Sequence, residues 1–165
     1  FNTGFDVLIT GLDTTENLVE ARKARKNDKT VWAVPYDYKN GCDEAPEVAL
    51  GVPYFNWGPA YVKAVRRVMD GTWQPFFEWN GPDWRDINDS STSAIGFTRG
   101  RALAPENAEK LDAYIKGLGD GSIRLFVGPL NYQDGSVFLR PGEVASDTQV
   151  WYQGQLLSGM IGPSK

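Results

Sequence analysis

The sequence contains no histidine and only one cysteine, Cys42. A Ser–His or Cys–His catalytic triad is therefore impossible within these 165 residues, because its general base is missing. One thiol cannot form an intrachain disulfide, and a zinc site built on cysteines needs more ligands. Any acid–base chemistry would fall to Asp, Glu, Lys, Tyr or the lone Cys.

Long apolar runs and an excess of positive charge are also missing. No stretch of 18 apolar residues occurs, so no segment is expected to cross a membrane. Lys and Arg number 17 against 21 Asp and Glu, and the net charge of −4 disfavours nucleic acid as the main partner. Apolar residues reach 41%, enough for a hydrophobic core, and aromatic residues reach 13%.

Short apolar runs alternate with amphipathic segments in the first half of the chain. The runs at 4–10 and 30–34 are typical of strands, and the first of them is expected to be buried. A helix is expected from Pro59 to Gly71, with Tyr61, Val65 and Met69 on its apolar face. This alternation predicts an α/β fold with a parallel sheet flanked by helices.

The end of the strand at 30–34 is a candidate binding site. It continues into Tyr36-Asp37-Tyr38, a carboxylate between two phenols. Ligands of parallel α/β sheets bind beyond the carboxyl ends of the strands, where Asp37 would accept hydrogen bonds from a polar ligand. The alternative is an Asp that caps a loop between two half-buried tyrosines.

A second candidate lies where the next extended run meets the helix, at Phe55-Asn56-Trp57. The rings of Phe55 and Trp57 can stack on a flat heterocycle, and Asn56 offers both a donor and an acceptor. The alternative is a core plug of aromatic residues with Asn56 as the helix N-cap.

The segment Trp79–Ser90 is rich in turn residues and carries Asp83, Asp86 and Asp89. The order of residues in this segment lacks the EF-hand pattern, so we predict that it binds no metal and that the chain has no cofactor. Asp37 with Glu44, or Asp83 with Asp86, would offer paired carboxylates for glycoside hydrolysis, but the sequence does not set their separation.

Several of these motifs together resemble one family. The segment Val52–Gly71 resembles the BMP (basic membrane protein) family, the substrate-binding lipoproteins of ABC transporters. The likeness covers nearly the whole chain in the same order and includes Phe126-Val127-Gly128-Pro129, Gln133-Asp134-Gly135 and Gly142-Glu143-Val144.

The resemblance implies a type I periplasmic-binding-protein fold, in which two α/β lobes joined by hinge crossovers close on a purine base or nucleoside. Family members are about twice this length, so the chain is expected to be the C-terminal half. Residues 1–54 would belong to the second lobe, 55–119 would cross to the first, and 120–165 would cross back. The resemblance also implies an ABC permease as partner and an extracytoplasmic location, through a lipid anchor in the upstream part.

The resemblance further assigns roles to the candidate residues. Asp37 falls where many members place an Asp that contacts the purine or ribose. Tyr36, Asn56 and Trp57 complete the expected ligand-binding set by their places in the sequence, although Tyr36 departs from the small or polar residue usual in the family. Phe55 stands where many members carry a Lys, a departure that favours a flat base over a nucleoside. Binding without catalysis is expected. A small-molecule-sensing regulator of the same fold, a sugar-binding protein and a carbohydrate-active enzyme are the alternatives.

Overall fold

The computed structural model describes residues 4–164. Residues 1–3 and 165 of the predicted lobe ranges lie outside the described residues. The chain forms two compact units, Phe1–Ala113 and Tyr114–Lys165. The strands are β1 Val7–Ile9, β2 Trp32–Val34, β3 Gly51–Phe55, β4 Ile95–Arg99, β5 Leu130–Asn131 and β6 Val137–Leu139. The helices are α1 Glu16–Arg25, α2 Gly58–Met69, α3 Pro105–Asp120 and α4 Asp147–Trp151, with a 3-10 turn at Gly41–Glu44.

The first unit contains strands of both orientations. β1 and β2 pair in parallel. Residues 48–55 run alongside the end of β2 in the same direction: the Ala33 N–H donates to the Val48 carbonyl at 3.0 Å, and the Leu50 N–H donates to the Ala33 carbonyl at 3.0 Å. β3 and β4 then pair antiparallel. The α/β class is confirmed, but the expectation of a parallel sheet is wrong for β4, which returns beside β3 in the opposite direction.

The core of this unit lies between α1, β2 and the segment that leads into β3. Leu18 and Ala21, three residues apart on one face of α1, are fully buried against it. The clustered buried residues are Leu18, Ala21, Val31, Ala33, Cys42, Ala45, Val48, Ala49 and Val52. The Arg22 Nε donates to the Glu47 carboxylate at 2.7 Å at the edge of the core. These contacts fix the start of α1 relative to the end of β2.

Two apolar surfaces expected to be covered are exposed. The residues of β1 are all exposed, so the prediction of a buried first strand is wrong for this structure. Helix α2 forms as predicted, and Gly71 ends it at φ +65°. Its apolar face nevertheless stays open, with Tyr61, Val65 and Met69 exposed. Periodicity defines which face of a helix is apolar, but it carries no information on which segment covers that face.

The second unit is built around a hairpin. β5 and β6 pair antiparallel, and the Tyr132 N–H donates to the Ser136 carbonyl at 2.9 Å across the turn. Helix α4 begins with a capping box, in which the Ser146 and Gln149 side chains each bond to the other residue's backbone N–H. No helix formed by the described residues is long and apolar enough to cross a membrane.

Candidate functional site

Three chain segments meet beyond the carboxyl ends of parallel strands in the first unit. β1 leads into Asp13-Thr14-Thr15, and β2 leads into Tyr36-Asp37-Tyr38. The segment that contains β3 runs parallel to the segment of β2, with bridges between Ala33 and Ala49 and between Asp37 and Tyr54. β3 ends at Phe55, which is followed by Asn56 and Trp57. All three ends lie at the same edge, which is where ligands of α/β sheets bind.

A cleft of about 300 Å³ opens at this edge. Its walls come from the start of α1 and from the loop that follows β2. The lining residues are Asp13, Thr14, Thr15, Tyr36, Asp37, Tyr38 and Gly41. Two of the predicted site residues, Tyr36 and Asp37, therefore lie in one concave site.

The backbone of Asp37 is held in a sparsely populated conformation. Its φ is +74°, in the left-handed region that Asp and Asn tolerate better than most residues with a side chain. The Asp37 N–H donates to the Pro53 carbonyl at 3.0 Å, and the Asp37 carbonyl accepts from the Phe55 N–H at 3.3 Å. Within the described residues, the half-buried carboxylate has no hydrogen bond or ion pair of its own. Strained residues of this kind concentrate at binding sites.

A row of aromatic rings extends from the cleft to α2. The Tyr36 ring meets the Phe55 ring edge-on, with centroids 5.6 Å apart, and Phe55 lies 5.2 Å from Trp57. Trp57 stacks on Tyr61 at 6.2 Å. Phe55 and Trp57 therefore lie outside the cleft lining but are joined to it through Tyr36, and they present exposed aromatic surface.

Asn56 is tied to a neighbouring loop. Its Nδ2 donates to the carbonyls of Ser90 at 2.8 Å and Ser93 at 2.7 Å, and its backbone N–H donates to the Ala94 carbonyl at 2.8 Å. The N-cap position of α2 belongs to Trp57, so Asn56 is not the cap. Both amide hydrogens hold the 90–94 segment, which leaves the Asn56 Oδ1 as its polar group for a ligand.

Sequence reasoning missed the α1 wall of the cleft. Asp13, Thr14 and Thr15 are not among the predicted site residues. Thr15 occupies the N-cap position but makes no side-chain cap hydrogen bond, while the Thr14 Oγ1 accepts from the Glu16 N–H at 3.3 Å. The signal in the sequence is weak, because three residues separate Asp13 from the end of β1 and the loop carries no distinctive motif.

Asn17 links the two walls. It is buried, its Nδ2 donates to the Val34 carbonyl at 2.9 Å, and its Oδ1 accepts from the Leu18 N–H at 3.0 Å. Val34 lies three residues before Asp37, so this contact fixes the start of α1 against the loop that carries the carboxylate.

Replacing Asn17 with alanine is expected to lower the free energy of unfolding by about 0.5–1.5 kcal/mol, because the partly buried Val34 carbonyl loses one of its two donors and keeps only the Thr10 N–H. Urea denaturation measures the change. Asn27→Ala is the matched control, since its Nδ2 donates to the Lys23 carbonyl at 3.2 Å on the surface, and it should change stability by less than about 0.5 kcal/mol. Equal effects of the two variants would contradict the linking role.

The carboxylates of the 79–94 loop are engaged within the loop itself. Asp83 accepts from the Arg85 Nε at 2.9 Å and from its Nη2 at 2.6 Å. These hydrogen bonds, with a further one from Thr92, hold the pKa of Asp83 well below its usual range, which does not suit a general acid. Asp86 and Asp89 accept backbone N–H groups two residues ahead. Among the described residues, no group of three His, Cys, Asp or Glu is placed to hold a metal ion.

Cys42 lies in the core below the cleft loops. Burial raises the pKa of its thiol to about 11, and the nearby Asp43 charge adds to the shift. The thiol is therefore protonated at neutral pH and poorly suited to act as a nucleophile.

Part of the chain is similar to a curated protein. Over 103 residues the chain is 33% identical to a purine-binding protein of Brucella abortus (strain 2308). The matched stretch covers 62% of this chain but only 27% of that protein. No protein-family model matches the chain.

Proposed function

We propose that this chain forms part of a protein that binds a purine base or nucleoside without altering it chemically. The observation that carries the proposal is the cleft at the carboxyl ends of β1 and β2, where the Asp37 carboxylate lies beside Tyr36 and has no hydrogen bond or ion pair among the described residues. The 33% identity to a protein named for purine binding supports this ligand class.

Each part of the site has a matching task in purine binding. The Asp37 carboxylate accepts hydrogen bonds from ring or exocyclic N–H groups. The exposed rings of Phe55 and Trp57, which adjoin Tyr36, offer stacking surface for a flat heterocycle. Because Phe55 adds a ring and no donor at its position, the site favours a free base over a nucleoside.

We extend the proposal to the biological setting. The chain would act as the extracytoplasmic solute-binding component of an ABC importer, with two lobes of type I periplasmic-binding-protein fold. It would deliver its ligand to a permease and be held at the membrane by an upstream lipid anchor. The resemblance of Val52–Gly71 and the later motifs to BMP lipoproteins supports this setting. Closure of two lobes over the ligand would cover the open side of the cleft.

A thermal-shift panel on the intact protein tests the ligand class. Adenine, guanine, adenosine, guanosine and several monosaccharides are compared at concentrations up to 1 mM. A purine present at about 100 times its dissociation constant should stabilise the protein by about 2.7 kcal/mol, which raises the melting temperature by several degrees. If only the sugars stabilise the protein, the purine proposal is wrong, and the row of aromatic rings from Tyr36 to Tyr61 is better explained as a sugar-binding surface. If chromatography shows that the protein converts the ligand to a product, the proposal of binding without catalysis is overturned.

A further inference from the structure

The α1 wall of the cleft carries a second carboxylate whose role is unassigned. Asp13 lines the same cavity as Asp37, but it belongs to the loop after β1, whereas Asp37 belongs to the loop after β2. Thr14 and Thr15 stand beside Asp13, and Tyr36 and Tyr38 flank Asp37. Each wall therefore presents one carboxylate, whose oxygens accept hydrogen bonds.

No Lys or Arg lines this cleft in the part of the chain that the structure describes. The nearest cation along the β2 loop, Lys39, places its Nζ 5.4 Å from the centre of the Tyr54 ring and is not among the lining residues. Two negative charges without a neighbouring cation repel an anionic group that enters the cavity. The site as built favours uncharged ligands that carry N–H donors.

We propose that Asp13 is a specificity-determining residue that acts together with Asp37, so that the cleft accepts uncharged purines with N–H donors and rejects nucleotides. This inference rests on the proposed purine-binding function. Adenine has N–H donors on both of its rings, the exocyclic amine on one and the ring N–H on the other. One carboxylate on each wall can accept from one donor. A nucleotide replaces the ring N–H with a sugar phosphate, which brings negative charge toward the carboxylates.

The experiment compares Asp13→Asn with the intact wild-type protein by titration calorimetry, using adenine and adenosine 5′-monophosphate as probes. We expect adenine affinity to fall about tenfold or more, because a charged acceptor is lost. The preference for adenine over the nucleotide should shrink by a similar factor, because the repulsion of the phosphate decreases. Asp13→Glu keeps the charge and should keep the preference.

Glu16→Gln is the matched control. Glu16 is an exposed acid in the first turn of α1 and does not line the cleft. Glu16→Gln therefore removes the same charge as Asp13→Asn, but at a position three residues from Asp13 and outside the cleft. It should shift both affinities less than about twofold. A change in Asp13→Asn no larger than in Glu16→Gln would overturn the specificity role while leaving purine binding intact. If the wild-type protein binds neither purine base nor nucleoside, the proposed function itself fails, and this inference falls with it.

Discussion

Replacing Asp37 with asparagine is expected to weaken purine binding by about 10- to 150-fold, the loss typical of a hydrogen bond to a charged group. The carboxylate has no partner within the described residues, so a ligand is the group that would use its acceptor capacity. Asparagine has the same shape and also tolerates the left-handed backbone at φ +74°. The free energy of unfolding should therefore change by less than about 0.5 kcal/mol.

Calorimetry on Asp37→Asn measures the affinity, and urea denaturation measures the stability. Asp43→Asn is the matched control, since Asp43 is exposed in the 3-10 turn and does not line the cleft. Wild-type affinity in Asp37→Asn would remove Asp37 from the site.

Alanine and glycine at position 37 separate the backbone from the carboxylate. Glycine should be more stable than alanine by about 1–2 kcal/mol, because alanine keeps the Cβ that is strained at this φ and glycine lacks it. Both should lose binding equally if the carboxylate is what binds the ligand.

Replacing Gly100 with alanine is expected to lower the free energy of unfolding by about 3 kcal/mol or more. Gly100 is buried where the end of β4 crosses the segment before β3, and its N–H donates to the Leu50 carbonyl at 2.9 Å. An added Cβ would overlap the Ala49 carbonyl oxygen and lie 2.6 Å from the carbonyl carbon. Backbone cannot move aside as a flexible side chain can, and Ala49 belongs to the core cluster.

Gly81→Ala provides the control for this effect. Nothing lies within 4 Å of the Cβ that would be added there, and its φ is not in the left-handed region. Its stability in urea should stay within about 0.5 kcal/mol of wild type. If Gly100→Ala unfolds at the same urea concentration as Gly81→Ala, the backbone at Gly100 does not lie as close to the backbone at Ala49 as the structure shows.

The sequence was most informative where local chemistry decides the structure. Helix α2 was predicted from its apolar spacing, with Pro59 in the first turn and Gly71 after the end, and the structure has it in that place. The sequence predicts Asp37 as a site residue because it follows an apolar strand run, and the parallel pairing of β1 and β2 brings it to the expected edge of the sheet. Both predictions depend on short-range signals, which a single sequence carries well.

The parts that failed depend on contacts between distant segments. The alternation of strands and helices predicts a parallel sheet, but β4 pairs antiparallel with β3, a choice that depends on contacts between segments far apart in the chain. Asp13 enters the cleft only through the pairing of β1 with β2, and Asn17 acquires its role from a bond to Val34, 17 residues away. Neither position has a distinctive motif around it, so only the tertiary arrangement indicates what it does.

The state of Cys42 also has a practical consequence. Because the chain's one thiol is buried and has its pKa raised to about 11, maleimide dyes should leave it unlabelled in the folded protein. Tyr38→Cys, at an exposed position on the rim of the cleft, would then carry a fluorophore at one defined place without removal of the native cysteine. The emission of that fluorophore would report ligand entry directly. Labelling of Cys42 at rising urea concentrations would show at which concentration the core opens.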